Sequence, residues 1–195
     1  MRIAPQKLKS RKAIFLDRDG TIIKHVDLLH QESEVRLLPG VQKAIKKIRD
    51  LGYLIIIVTN QSVIARGIIT CQELELIHEK LKRRLAAKKA HIDEIYYCPH
   101  HPEAKLPEYR KKCRCRKPNP GMLHNAIRKN LIDPKKSFMV GDALIDIAAG
   151  QKVGVKTILV KSGPGHESLD KLIKTHPDFI AKNLEEAVKI IKNHD

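Results

Sequence analysis

Short apolar runs alternate with longer amphipathic stretches along almost the whole chain, and this alternation constrains the fold more than any other feature. The runs "KAIFLD" (12–17), "YLIIIVT" (53–59), "IDEIYY" (92–97), "SFMV" (137–140) and "VKTILV" (155–160) have the length of strands and the apolarity of buried ones. Between the first two, "PGVQKAIKKIRDLG" has helical spacing, opens after Pro39-Gly40 and stops at Gly52. "TCQELELIHEKLKRRLAAKKA" starts with a Thr-x-x-Glu capping box, Thr70 with Glu73, and runs as an amphipathic helix towards Ala90. "PGMLHNAIRKNL" and "ALIDIAAGQKV" add two helices, and "DFIAKNLEEAVKIIKNH" gives a last short strand and helix. Such alternation implies parallel βαβ units with right-handed crossovers. The fold class is therefore α/β, a three-layer Rossmann-like parallel sheet with helices on both faces. A chain of 195 residues suits one well-buried core, so a single domain is expected over 1–195.

Charge narrows the partners without choosing one. The formal net charge of +16 attracts anions, but the lysines are spread along helix faces and only 4% of residues are aromatic, leaving few platforms for stacked bases. Nucleic acid is an unlikely partner on that pattern. No run approaches the roughly 18 apolar residues of a membrane span, and the basic start "MRIAPQKLKSRKAIF" lacks the apolar core of a secretory signal. The expectation is a cytoplasmic protein with no membrane partner, a monomer or weak homo-oligomer.

In a parallel sheet, ligands gather at the carboxyl ends of the strands. The first strand ends in "FLDRDGTI", where Asp17 and Asp19 leave on the same side if the extended backbone persists through Arg18, and Gly20 permits a tight exit. The second ends in "VTNQS", a cluster of Thr59, Asn60, Gln61 and Ser62 with hydroxyls, amides and backbone N–H groups suited to an anionic substrate. Lys117 stands just before a helix, whose N-terminal dipole would reinforce its pull on phosphate. "FMVGDALID" closes a later strand with Asp142 and adds Asp146 one helical turn on. Asp142 alone could be an N-cap, and Asp146 could orient Lys117, hold metal-bound water or simply sit on its helix.

The stretch "CPHHPEAKLPEYRKKCRCRKP" holds three of the four cysteines. Cys98, His100, Cys113 and Cys115 make four soft or borderline ligands, enough for a closed structural zinc site in a loop over 98–115, with His101 the rival to His100. Three prolines deny this loop regular structure, so a metal would supply its order. Nothing points to export, which disfavours disulfides. Arg116 and Lys117 follow directly, so fixing the loop fixes two cations beside the strand ends.

Taken together, "DRDGT", "TNQS", Lys117 and "GDALID" resemble the four motifs of the haloacid dehalogenase superfamily of phosphatases. The resemblance implies Mg²⁺ shared by Asp17, the Asp19 backbone carbonyl and Asp142, with Asp17 as nucleophile forming an aspartyl-phosphate. It further implies that Asp19 protonates the leaving alkoxide and that Thr59 and Lys117 hold the phosphoryl oxygens. "YYCPHHP" and "C.CRKP.PGML" narrow the likeness to the branch acting on D-glycero-D-manno-heptose 1,7-bisphosphate, close to histidinol-phosphate phosphatases. That branch implies a small phosphorylated sugar as substrate, bound by Thr59, Asn60, Gln61, Ser62, Arg116 and Lys117, a small flap between Ile22 and Pro39, and no large cap domain. Val63, Ala143 and "KHVDLLHQ" depart from its usual residues. The reading outside enzymes is a zinc-loop module that binds acidic partners.

Overall fold

The computed structural model describes residues 10–165 and 175–195, so most of the basic N-terminal stretch lies outside it. Strand β1 (Ala13–Leu16) is central, paired in parallel with β2 (Leu54–Asn60) on one side and β4 (Phe138–Gly141) on the other. Strand β3 (Glu94–Cys98) extends the sheet beyond β2, while β5 (Lys156–Val160) and β6 (Phe179–Ala181) extend it beyond β4. The order is β3-β2-β1-β4-β5-β6, parallel throughout.

The two-residue period of the strands divides the core in two. Ile14, Leu16, Ile55, Ile57, Phe138 and Val140 face α1 (Val41–Asp50), α2 (Cys71–Ala86) and α5 (Leu184–Asn193). Ala13, Phe15, Ile56, Val58 and Met139 face the opposite way, onto α3 (Gly121–Asn130) and α4 (Leu144–Val153). Continuous apolar runs are therefore required, because both faces of each strand are covered. Each fully buried Ile or Phe contributes roughly 1.5–3 kcal/mol of transfer free energy. The three layers expected from sequence are present.

Helix ends follow local chemistry. Thr70 Oγ1 accepts the Glu73 N–H while the Glu73 carboxylate accepts the Thr70 N–H, which starts α2 where the capping box predicts. Its end differs: α2 stops at Ala86, short of Ala90, as Lys89 takes φ 59° and the Ala90 N–H returns to the Leu85 carbonyl. That reversal buries Ala90 completely, a gain the local sequence does not advertise.

The topology positions the site. From β1 the chain winds outward through β2 and β3, then returns to the other side of β1 as β4, which opens a crevice at the strand carboxyl ends. Between β1 and α1 a narrow flap folds back on itself: Ile23 bridges Leu37, and the Lys24 N–H reaches the Arg36 carbonyl. Among the described residues no large cap covers the crevice, and no helix is long and apolar enough to cross a membrane.

Candidate active site

Strand β1 ends at Leu16, the Asp17 N–H still bonds the Val140 carbonyl, and Arg18 lies in a bend, so the extended backbone does not carry through it. Asp17 and Asp19 nevertheless line one cavity of about 350 Å³, together with Thr59 and Asn60 at the end of β2, Gln61 and Ser62 just beyond it, Lys117, and Asp142 and Asp146 from the β4–α4 junction. The flap tip, His25 to Leu29, and Gly165 also contribute to its wall. Gly20 makes the convergence possible. It adopts φ +80°, and a Cβ there would lie 2.5 Å from Asp142 Oδ2 and 2.9 Å from Gly163 Cα.

Lys117 is the electrostatic centre. It is 3% exposed, with Nζ 2.6 Å from Asp17 Oδ1, 2.6 Å from Asp146 Oδ1 and 2.7 Å from the Val58 carbonyl. Burial alone would strip its proton, but the charges of Asp146 and Asp17 more than offset this and hold it protonated. Sequence placed Lys117 before a helix, and it does precede α3; its charge, however, is balanced by two carboxylates, and Asp146, left open above, is its partner. The main chain of Lys117 is fixed by Asn60, whose Oδ1 accepts its N–H and whose Nδ2 donates to its carbonyl.

The carboxylates are unequal. Asp17 is pushed up to about 7, chiefly by burial, with Lys117 opposing and Asp146 and Asp19 reinforcing. Asp142 rises to about 6 through burial and the charge of Asp17, with the Gly165 N–H and the charge of Lys117 opposing. Asp17, Asp142 and Asp146 can each bring one oxygen within 4.8 Å of the others. Asp146 has both oxygens engaged, Oδ1 by Lys117 and Oδ2 by the Ala143 N–H, whereas Lys117 engages Asp17 through Oδ1 and the Gly165 N–H engages Asp142 through Oδ2, so Asp17 and Asp142 are the pair better placed to offer an oxygen to a ligand. Two buried acids that resist ionising together are a donor set that a hard divalent cation fits.

Beside this pair, Gln61 is wholly engaged. Its Nε2 donates to Asp19 Oδ2 (3.0 Å) and Thr59 Oγ1 (2.8 Å), and its Oε1 accepts from Arg18 Nη2 (2.9 Å). Arg18, missed by motif reading, forks Asp19 through Nε and Nη2, both at 3.1 Å. The signal was visible: a lone basic residue between two acids at the end of an apolar strand.

The cysteine loop closes on itself as expected. Cys98 Sγ lies 3.4 Å from Cys113 Sγ and 3.0 Å from Cys115 Sγ, Cys113 and Cys115 are 3.2 Å apart, and His100 Nδ1 is 3.4 Å from Cys115 Sγ. Ligands around one tetrahedral zinc lie roughly 3.5–3.8 Å apart, so this cluster fits the ion after slight expansion and is far too open for disulfides. Burial also depresses the His100 imidazole, which favours the neutral ring a metal needs. His101 turns elsewhere, its Nδ1 accepting the Glu103 N–H. Arg116 lies outside the cavity wall: its guanidinium donates to the His100 carbonyl, and its N–H points at Cys113 Sγ.

Comparison with known proteins adds an independent line. A family model described as HAD-hydrolase-like matches residues 114–187. The D-glycero-beta-D-manno-heptose-1,7-bisphosphate 7-phosphatase of Haemophilus ducreyi is 42% identical over 177 residues, spanning 87% of this chain and 97% of that one. The D-glycero-D-manno-heptose-1,7-bisphosphate 7-phosphatase of Chlorobaculum tepidum is 40% identical over 187 residues, 93% of this chain and 94% of that one. Among solved structures, the D,D-heptose 1,7-bisphosphate phosphatase of B. bronchiseptica, complexed with magnesium and phosphate, superposes with a TM-score of 0.84 at 31% identity, covering 94% of this chain and 99% of the other.

Proposed function

The chain belongs to the D-glycero-D-manno-heptose-1,7-bisphosphate 7-phosphatases of the haloacid dehalogenase superfamily, a group of phosphoric monoester hydrolases, and from that premise we propose that it removes the 7-phosphate of this heptose bisphosphate through an aspartyl-phosphate on Asp17. The observation that carries the reading is the buried Lys117 ammonium held between Asp17 and Asp146, beside Asp142, in one cavity at the strand carboxyl ends. A carboxylate can attack a phosphate ester only where their shared negative charge is offset.

Mg²⁺, held by Asp17, Asp142 and the Asp19 backbone carbonyl, would supply that positive charge from hard oxygen ligands. Asp17 then attacks phosphorus and the sugar oxygen leaves, taking a proton from Asp19. In the second half Asp19 takes a proton from the water that releases phosphate from Asp17. Lys117 and the Thr59 hydroxyl hold the phosphoryl oxygens as charge shifts among them. Asp146 balances Lys117, and Asn60 and Gln61 hold Lys117, Thr59 and Asp19 in place, with Ser62 closing the phosphate-binding turn. Cys98, His100, Cys113 and Cys115 would hold a structural zinc that orders the loop before Lys117, with Arg116 kept on the His100 carbonyl outside the cavity, where it braces that loop instead of touching the bound phosphate. A zinc cluster needs its cysteines reduced, which suits a reducing, cytoplasmic setting.

Phosphate release from heptose bisphosphate and from histidinol phosphate, measured side by side with Mg²⁺, tests the substrate. The reading expects a clear kcat/KM preference for the heptose; a preference for histidinol phosphate would reassign it.

A further inference from the structure

Arg18 is the largest fully buried side chain among the described residues, although it carries a charge and stands between two aspartates of the site. One edge of its guanidinium forks Asp19, and Nη2 also reaches Gln61. The remaining nitrogen, Nη1, lies 3.3 Å from Nε2 of His78, a residue 60 positions away on α2. A guanidinium only donates, so His78 Nε2 must offer its lone pair and the ring proton sits on Nδ1. Among the described residues that nitrogen has no hydrogen-bond partner, and it faces Glu75 at 4.0 Å. The ring is 1% exposed and packs on Tyr97 with centroids 5.6 Å apart. Burial and the charge of Arg18 push its pKa down to about 3, so it stays a neutral acceptor at any working pH. His78 does not line the catalytic cavity.

We propose that His78 is a positioning residue for the general acid: by accepting from Arg18 Nη1 it fixes the guanidinium whose opposite edge holds the Asp19 carboxylate towards the leaving group. The inference rests on the acid role given to Asp19 above. A long arginine side chain can rotate within its pocket, and a two-point fork on a carboxylate works only when its plane is set. His78 sets it from the far side. Without that lone pair, Nη1 turns towards another oxygen, and Asp19 or Gln61 turns with it. The step that suffers is proton delivery to the departing oxygen.

The test compares two leaving groups. A sugar alkoxide needs a proton as it leaves, whereas p-nitrophenolate does not, and kcat/KM reports only steps up to the departure of that group. Asp19→Asn serves as reference and should lower kcat/KM for heptose bisphosphate on the order of 100-fold more than for p-nitrophenyl phosphate. His78→Leu should show the same bias at about tenfold, and His78→Gln, whose amide oxygen reaches the place of Nε2, should restore it. Equal losses on both substrates, no loss, or failure of His78→Gln to rescue would overturn the proposal while a biased Asp19→Asn leaves the acid assignment standing. If Asp19→Asn itself shows no bias, the acid assignment falls and the proposal falls with it. Should His78→Leu not fold, His78→Asn takes its place, since its shorter amide keeps the polarity but withdraws the acceptor from Arg18.

Discussion

The side chain of Asn60 grips the main chain of Lys117 at both ends, Oδ1 taking its N–H at 3.0 Å and Nδ2 reaching its carbonyl at 3.1 Å. This pairing ties the end of β2 to the loop that delivers the buried Lys117 ammonium. Asn60→Ala is expected to cost about 1–2 kcal/mol of stability for two lost hydrogen bonds. It should also lower kcat/KM by roughly tenfold or more, because a displacement of about 1 Å at a charged catalytic group is expensive. Urea unfolding and steady-state kinetics check the two effects separately. A variant that loses stability but keeps full turnover would show that Lys117 is placed by other contacts.

The raised pKa of Asp142 makes a signed statement about pH. Its carboxyl shifts from an ordinary 3.8 to about 6 on folding, so the folded protein holds that proton longer than the unfolded chain. The cost is absent below about 3.8, grows through the window up to 6, and is complete above it, at up to about 3 kcal/mol. In metal-free protein Asp142→Asn should therefore be stabilising at pH 7.5, with the advantage fading as pH falls through 6 towards 4. Mg²⁺ should raise the melting temperature of the parent protein at pH 7.5 and leave Asp142→Asn nearly unchanged. A variant no more stable than its parent at pH 7.5 would contradict the electrostatic account of this pair.

The cysteine cluster is expected to carry about one zinc ion per chain by elemental analysis. Stripping it should loosen the segment that precedes Lys117, since Cys113 Sγ accepts the Arg116 N–H at 3.3 Å. Chelation or Cys115→Ser should lower both thermal stability and kcat, the latter by about tenfold or more, and zinc should restore the chelated protein. Full activity in verified zinc-free protein would separate the loop from the active site.

Much of this arrangement was legible in the chain because parallel strands buried on two faces must be apolar throughout, and "KAIFLD" and "YLIIIVT" cannot hide that requirement. The acids, the hydroxyl-amide turn and the lysine were legible because each directly follows or precedes such an element. Contacts between side chains distant in sequence were not. Nothing around His78 in "ELIHEKL" distinguishes it from a residue packed in an amphipathic helix; its meeting with Arg18 depends on how α2 lies across the sheet. The pairing of Lys117 with Asp146 is of the same kind, since it needs β1, β2 and β4 side by side. Arg116 looked equivalent to Lys117 in "CRKP", yet the turn sends one cation into the cavity and the other onto the His100 carbonyl. The end of α2 was overrun because no glycine or proline marks it.

The central claim is that Asp17 is the atom donor to phosphorus, and Asp17→Asn tests it most directly, since the amide keeps the shape and removes the nucleophile. The account expects this variant to fold, to bind heptose bisphosphate in a titration with Mg²⁺, and to release phosphate at least about 1,000-fold more slowly than the parent. Turnover within a few-fold of the parent, from a preparation whose sequence is verified by mass, would contradict it.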